Sequence, residues 1–150
     1  MMVKNIVDAE NIKGAYESIE HTADIGIIVR GKTLEELFAL AAGAMFDIMV
    51  DVTTVAPKQK ATISLEAENL EELFVAWLNE LAFRSEVNGM FFSKFQVESV
   101  TDTSLRAIAM GEPYDESRHS LGVSIKAATY HELKISRIDK GWCAQVIFDV

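Results

Sequence analysis

The sequence has few of the residues that crosslink a chain or interrupt its secondary structure. It contains one cysteine, Cys143, so an internal disulfide is excluded and a reducing compartment, the cytoplasm, is predicted. It contains two prolines, Pro57 and Pro113, and no low-complexity tract, which argues against a disordered linker. No apolar run approaches the roughly 20 residues of a membrane span, and the N-terminus lacks the apolar region of a signal peptide.

Basic residues are also scarce. The chain has 14 Lys and Arg against 23 Asp and Glu, a formal net charge of -9. Because nucleic acids are held mainly through Lys and Arg contacts to phosphates, no direct nucleic-acid binding is expected. The excess acid lies in residues 1–90, which hold 15 acids and 7 bases. This asymmetry fits docking on a basic partner, although acid that simply keeps the protein in solution explains it equally well.

Familiar catalytic motifs are missing from the sequence. It has no GxSxG, no P-loop, no GxGxxG, and no HExxH or CxxC spacing that would indicate a zinc site. Cys143 follows Trp142 in an alternating segment, which favours a packed, inert thiol. Glu112 and His119 lie in a polar loop whose spacing does not designate an acid–base pair.

Two segments carry helix signals. Thr33 with Glu36, and Asn69 with Glu72, have the spacing of a capping box, and apolar residues follow each pair at helical intervals. Asn88-Gly89 predicts the end of the second helix, because glycine tolerates the left-handed conformation of a helix stop.

The other ordered segments read as strands. The predicted strands are 15–20, 25–30, 61–67, 91–100, 104–111, 124–129, 131–138 and 142–150. Alternation places Phe91, Phe95 and Val97 on one face of their strand. The resulting prediction is a single α+β domain over residues 15–150, with a mostly antiparallel sheet and two main helices packed on one side. Residues 1–14 are expected to be a loosely ordered leader.

Polar residues at two strand ends are the candidate site. In the last segment, alternation puts Asp149 opposite the apolar face, one residue before Val150. Asp24 stands at the start of a strand and His21 just before it. A cation between Asp149 and a terminal carboxylate, or solvation of both, would relieve their repulsion. Asp24 is equally explained by a local Asx-type turn, and His21 by a structural hydrogen bond.

At "EHTADIGI" the sequence resembles the archease family. The resemblance continues through "TLEELFALAAGAMFDIM", "ENLEELFVAWLNEL", "GEPYD", "IKAATYHEL" and the final "VIFDV", in family order from Tyr16 to Val150. It implies a strand-helix-strand-strand module with an inserted helical segment. It also implies a non-catalytic helper that activates the GTP-dependent tRNA-splicing RNA ligase by promoting its guanylylation and repeated turnover.

The resemblance also implies a metal site built from Asp24, Asp149 and Val150. Their oxygen ligands suit calcium, with Mg²⁺ or Mn²⁺ as alternatives. His21 and Lys126 are expected to contact the partner or its triphosphate, or else to be structural. Two rival functions remain, a general chaperone or protein-interaction module and a small metal-dependent phosphoesterase.

Overall fold

The structure is a computed structural model that describes residues 6–20 and 23–150. Its helices are α1 (Ala9–Ile12), α2 (Leu34–Met49) and α3 (Leu70–Asn88), with a short 3₁₀ turn at Val52–Thr54. Its strands are β1 (Ile6–Val7), β2 (Tyr16–Glu20), β3 (Asp24–Gly31), β4 (Gln59–Glu66), β5 (Met90–Val100), β6 (Ser104–Pro113), β7 (Ala127–Ala128), β8 (Lys134–Ile138) and β9 (Gly141–Asp149). The α+β class predicted from the sequence is confirmed.

Helix α2 begins at the predicted cap. The Glu36 backbone N–H donates to Thr33 Oγ1 at 3.1 Å, while the Glu36 carboxylate accepts from the Lys32 backbone N–H at 3.1 Å. Both bonds satisfy donors that an open helix start leaves free. From Leu37 to Phe46 every residue of α2 is buried, so the helix is enclosed on all sides. It is therefore the centre of the core.

Helix α3 lies beside α2 and has one exposed face. Asn69 caps it by accepting from the Glu72 backbone N–H at 2.9 Å, and Gly89 ends it with φ of 66°, as predicted. Trp77 is fully buried, and its indole N–H donates to the Phe38 carbonyl of α2 at 2.9 Å. This bond and the edge-to-face pair of Phe38 and Phe74 fix the two helices against each other.

The strands form two antiparallel sheets, where the sequence had suggested a single one. One sheet has the order β1-β5-β6-β4, and the other has the order β2-β3-β9-β7 with β8 also paired to β9. Helix α2 contacts both sheets, chiefly through β5 and β3. The prediction of a single sheet is thus corrected to two, because a helix buried all round needs an apolar layer on each flank.

The N-terminal segment is part of the fold from residue 6 onward. β1 pairs with β5, and α1 is closed by a reciprocal capping box between Asp8 and Asn11. Ile12 is completely buried against Gly43 of α2, and Lys13 forms an ion pair with Asp47 at 2.7 Å. The expectation of a loosely ordered leader is therefore wrong for residues 6–14. Residues 1–5 lie outside the described part of the chain.

Candidate functional site

The two candidate aspartates are neighbours on adjacent strands. β3 and β9 are antiparallel, and their register pairs Asp24 directly with Asp149. Residues that face each other across antiparallel strands project to the same side of the sheet, with Cβ atoms about 4.5–5.5 Å apart. Sequence positions 125 residues apart, the difference of 149 and 24, thus form one acidic corner. We call Asp24, Asp149 and Val150 the acidic corner.

Alternation explains why this corner faces away from the core. Ile25, Ile27 and Val29 of β3 pair with Phe148, Val146 and Ala144 of β9, and this face packs on the buried interior. Asp24 and Asp149 lie on the opposite face, where Asp24 is half-buried and Asp149 exposed. The prediction that Asp149 lies opposite the apolar face of its strand is confirmed.

Neighbouring segments hold the end of β9 on both sides. β3 pairs with one edge, and β7 pairs with the other through Ala127 and Asp149. The backbone N–H of Lys126 donates to the Asp149 carbonyl at 2.8 Å. Lys126 therefore lies beside the acidic corner and is one of the residues that line a neighbouring cavity. His21 lies outside the described residues, so its expected role stays a prediction.

The donor chemistry of the acidic corner fits a hard divalent cation. Two carboxylates placed directly opposite each other repel, and a shared cation converts that repulsion into attraction. The described residues hold no group of three or more His, Cys, Asp or Glu side chains placed for a metal. Asp24 and Asp149 are the two carboxylates that the strand register brings together here, and carboxylate oxygens are ligands that hard divalent cations prefer.

Comparison with known proteins agrees with this architecture. Residues 16–150 match the model of the Archease protein family. The chain belongs to the archease family. The protein archease of Methanopyrus kandleri is 41% identical over 138 residues, which cover 90% of this chain and 99% of the relative. The family match begins at Tyr16, so β1 and α1 lie outside it.

Two solved structures have the same fold. The solution structure of protein 1598 of Methanobacterium thermoautotrophicum has a TM-score of 0.74 at 31% identity and covers 91% of this chain and 99% of its own. A crystal structure from Thermotoga maritima, described as an archease and possible chaperone, has a TM-score of 0.63 at 22% identity. It covers 89% of this chain and 96% of its own. The second likeness shows the fold alone.

The archease chain also contains a buried ionic cluster that sequence reasoning missed. Glu112, at the end of β6, is 3% exposed and accepts four hydrogen bonds. Arg118 donates two, at 2.8 and 2.9 Å; His119 Nε2 donates one at 2.9 Å, and the Ala56 backbone N–H donates one at 2.7 Å. We call Glu112, Arg118 and His119 the Glu112 cluster.

Its protonation states follow from the same geometry. His119 Nδ1 accepts the Asp115 backbone N–H at 2.9 Å, so the ring proton is on Nε2 and faces Glu112. The hydrogen bonds from Arg118 lower the pKa of Glu112 well below its usual range. Those from Ala56 and His119 add to this effect, and burial opposes it. Glu112 is thus a carboxylate with both oxygens engaged, Oε2 by three donors and Oε1 by one, which indicates a structural role.

The Glu112 cluster positions the segment that leads to Lys126. After His119, the Ser120 carbonyl accepts from Asp51 at 2.9 Å, and the Gly122 and Val123 N–H groups donate to Met49 and Ile48 at 2.8 and 2.9 Å. The segment thereby satisfies the last carbonyls of α2 before it reaches β7. One sequence signal could have revealed this cluster. A glutamate stands at one end of a short loop, and an arginine and a histidine stand at the other.

Proposed function

We propose that this archease is a non-catalytic, metal-binding protein cofactor that activates a GTP-dependent tRNA-splicing RNA ligase. It promotes guanylylation of the ligase and its repeated turnover, in the cytoplasm. The observation that carries the proposal is the direct pairing of Asp24 with Asp149, because it gathers at one exposed strand end the residues that the family resemblance assigns to a metal. The proposal of activity joins that geometry to the family membership of the chain.

The residues of the acidic corner have separable tasks. Asp24 and Asp149 supply oxygen ligands from two rigid strands, and the Val150 carboxylate adds a third from the adjacent residue. A bound calcium, or Mg²⁺ or Mn²⁺, would neutralise phosphate charge at the nucleotide pocket of the ligase. Lys126, held beside Asp149, and His21 are the residues we assign to contact with the partner or its triphosphate.

The chemistry of ligation takes place in the partner in this proposal. The two aspartates and the terminal carboxylate act here as ligands of the cation, and the proposal assigns none of them the role of nucleophile. A phosphoesterase built on the same corner would hydrolyse phosphoesters with metal and without ligase. Incubating the purified protein with metals and model phosphoesters therefore separates the two functions, and turnover above background would favour the enzyme.

A ligation assay with the cognate ligase at limiting GTP tests the proposal. Asp24→Asn and Asp149→Asn preserve side-chain volume and remove charge, so both should abolish stimulation while far-UV circular dichroism stays unchanged. The matched control is Asp102→Asn, an exposed aspartate in the β5–β6 turn of the other sheet, which should stimulate normally. Calcium titration by calorimetry should show heat for the control and none for the two variants. Full stimulation by both corner variants would rule out the acidic corner.

A further inference from the structure

A cavity opens beside the acidic corner, between the C-terminal halves of α2 and α3 and the segment before β7. Its volume is about 370 Å³. Met49, Ala82, Phe91, Leu121 and Ile125 form its apolar wall, and Lys126 and Glu86 are the charged residues at its lining. The volume lies at the lower end of the range for small binding sites, about 300–1,000 Å³. It has room for one projecting side chain and its neighbours, and not for a folded element.

Exposed apolar side chains lie on the segments that line this cavity. Among the described residues, eight large apolar side chains are exposed; Leu121 is a lining residue, and four others follow a lining residue in the chain or contact one. Leu121 lines the cavity and is 57% exposed, and Val123 is two residues further along. Phe83 and Val87, 59% and 61% exposed, adjoin the lining residues Ala82 and Glu86 on α3. Tyr114 stacks edge-to-face on Phe91 of the cavity wall at 5.9 Å.

Such a concentration marks a contact surface, because isolated apolar residues scatter over a protein whereas clustered ones are covered in a complex. We call Phe83, Val87, Tyr114, Leu121 and Val123 the apolar rim. The rim flanks a preformed hollow, and a pocket of that kind takes the anchor side chain that dominates the energy of an interface.

The charges around the rim specify the chemistry of the partner. Exposed Glu86 lies in the cavity lining, and Lys126 joins the cavity to Asp149 through its backbone N–H. Asp149 of the acidic corner is therefore hydrogen-bonded to a residue of the cavity lining, and the whole chain carries a net charge of -9. A complementary surface has one protruding aliphatic or aromatic side chain, with basic groups on either side that face Glu86 and the corner.

We propose that the apolar rim and its cavity are the docking surface for a protein partner that presents an apolar anchor within a basic patch. The inference rests on the proposed function for the identity of that partner, the RNA ligase. The anchor enters the cavity, the basic groups face Glu86, and the acidic corner is thereby delivered beside the partner's nucleotide pocket. Docking and metal binding are thus carried by different residues of one continuous surface.

The test measures binding of the purified chain to the cognate ligase by biolayer interferometry, with ligase stimulation as a second readout. Leu121→Gln and Phe83→Gln add no charge and alter exposed side chains on two different segments. Each should weaken binding by about tenfold, the usual loss for an interface anchor. The calcium affinity of the corner should stay unchanged. Added salt should slow association, because a basic partner is attracted over distance.

The matched control is Ile138→Gln, a side chain 42% exposed at the end of β8. It should bind and stimulate as the original chain does. Normal binding by both rim variants, with loss of stimulation in Asp149→Asn, would overturn the docking surface and leave the proposed function standing. Failure of the unaltered chain to bind or stimulate the ligase would overturn the proposed function and the partner assigned here.

Two further outcomes would assign the rim to another occupant. If sedimentation shows that the unaltered chain is a dimer and that Leu121→Gln is a monomer, a second copy covers the rim and the proposal is overturned. If rim variants instead lose binding to a reduced, carboxymethylated unfolded protein and still bind the ligase normally, the rim is a chaperone surface and the proposal is overturned.

Discussion

Replacing Glu112 by glutamine isolates the contribution of the buried carboxylate. Glutamine has nearly the same volume, so the substitution leaves no cavity. It removes the charge that Arg118 neutralises. Its amide oxygen can replace Oε2, which accepts from Ala56, His119 and Arg118 Nη1, so its N–H₂ takes the place of Oε1 and faces the Arg118 Nη2 donor. The charge-assisted hydrogen bond from Nη2 is then lost, and a hydrogen bond to a charged group contributes about 1.5–3 kcal/mol.

We therefore expect Glu112→Gln to lower the free energy of unfolding by about 2–3 kcal/mol, mainly through the lost charge-assisted hydrogen bond to Arg118. For a domain of this size that corresponds to a fall in Tm of roughly 5–10 °C. Urea denaturation followed by circular dichroism measures the change. Glu116→Gln, an exposed residue of the same loop, is the matched control and should stay within about 0.5 kcal/mol of the original chain.

The pH dependence gives a second, independent signature. The folded-state pKa of Glu112 is lowered from an ordinary value of 4.5, so its contribution to stability is complete above about pH 4.5. Below that pH the unfolded chain binds a proton that the folded chain does not, and the contribution declines as the pH falls toward the folded-state pKa. The stability difference between the original chain and Glu112→Gln should therefore shrink in acid. A difference that is negligible at pH 7, or constant from pH 7 to pH 3, would refute this account of the Glu112 cluster.

Three other predictions follow from the structure. Gly43→Ala should destabilise the protein by about 1–3 kcal/mol in urea denaturation, because the new Cβ would clash with the Ile12 side chain; Gly43→Ala/Ile12→Ala should lose less stability than the sum of the two single losses, and additive losses would contradict that contact. Tyr16→Phe should lower the free energy of unfolding by about 1 kcal/mol, because it loses the 2.8 Å hydrogen bond to Asp47. Tyr130→Phe, at an exposed tyrosine, is the control and should leave stability unchanged; equal effects of the two would argue against the Asp47 bond. Residues added after Val150 should weaken calcium binding in calorimetric titration and leave Tm unchanged, and an unaltered affinity would remove the Val150 carboxylate from the proposed site.

Local signals in the sequence were sufficient for the ends of the two long helices and for the apolar face of the last strand. The caps at Thr33 and Asn69 and the stop at Gly89 depend on bonds within a few residues, and each is observed where the spacing placed it. The apolar face of the last strand is confirmed for the same reason, since alternation depends on strand geometry alone. Phe91 is an exception, because it was predicted to share the face of Phe95 and Val97 and is only half-buried. A register shift between Phe92 and Lys94 places Phe92 in the core instead. No local sequence pattern marks this bulge.

The resemblance to the family named Asp24, Asp149, Val150, His21 and Lys126 as site residues. The sequence pattern by itself did not bring Asp24 to Asp149. That proximity depends on the register of β3 with β9, a pairing between chain segments more than a hundred positions apart that only the tertiary structure decides. The same holds for the division of strands into two sheets, the packing of residues 6–14, and the burial of Glu112 with His119. Amino-acid order determines short-range hydrogen bonds and periodicity, whereas long-range neighbours follow from how whole layers pack, which no local pattern encodes.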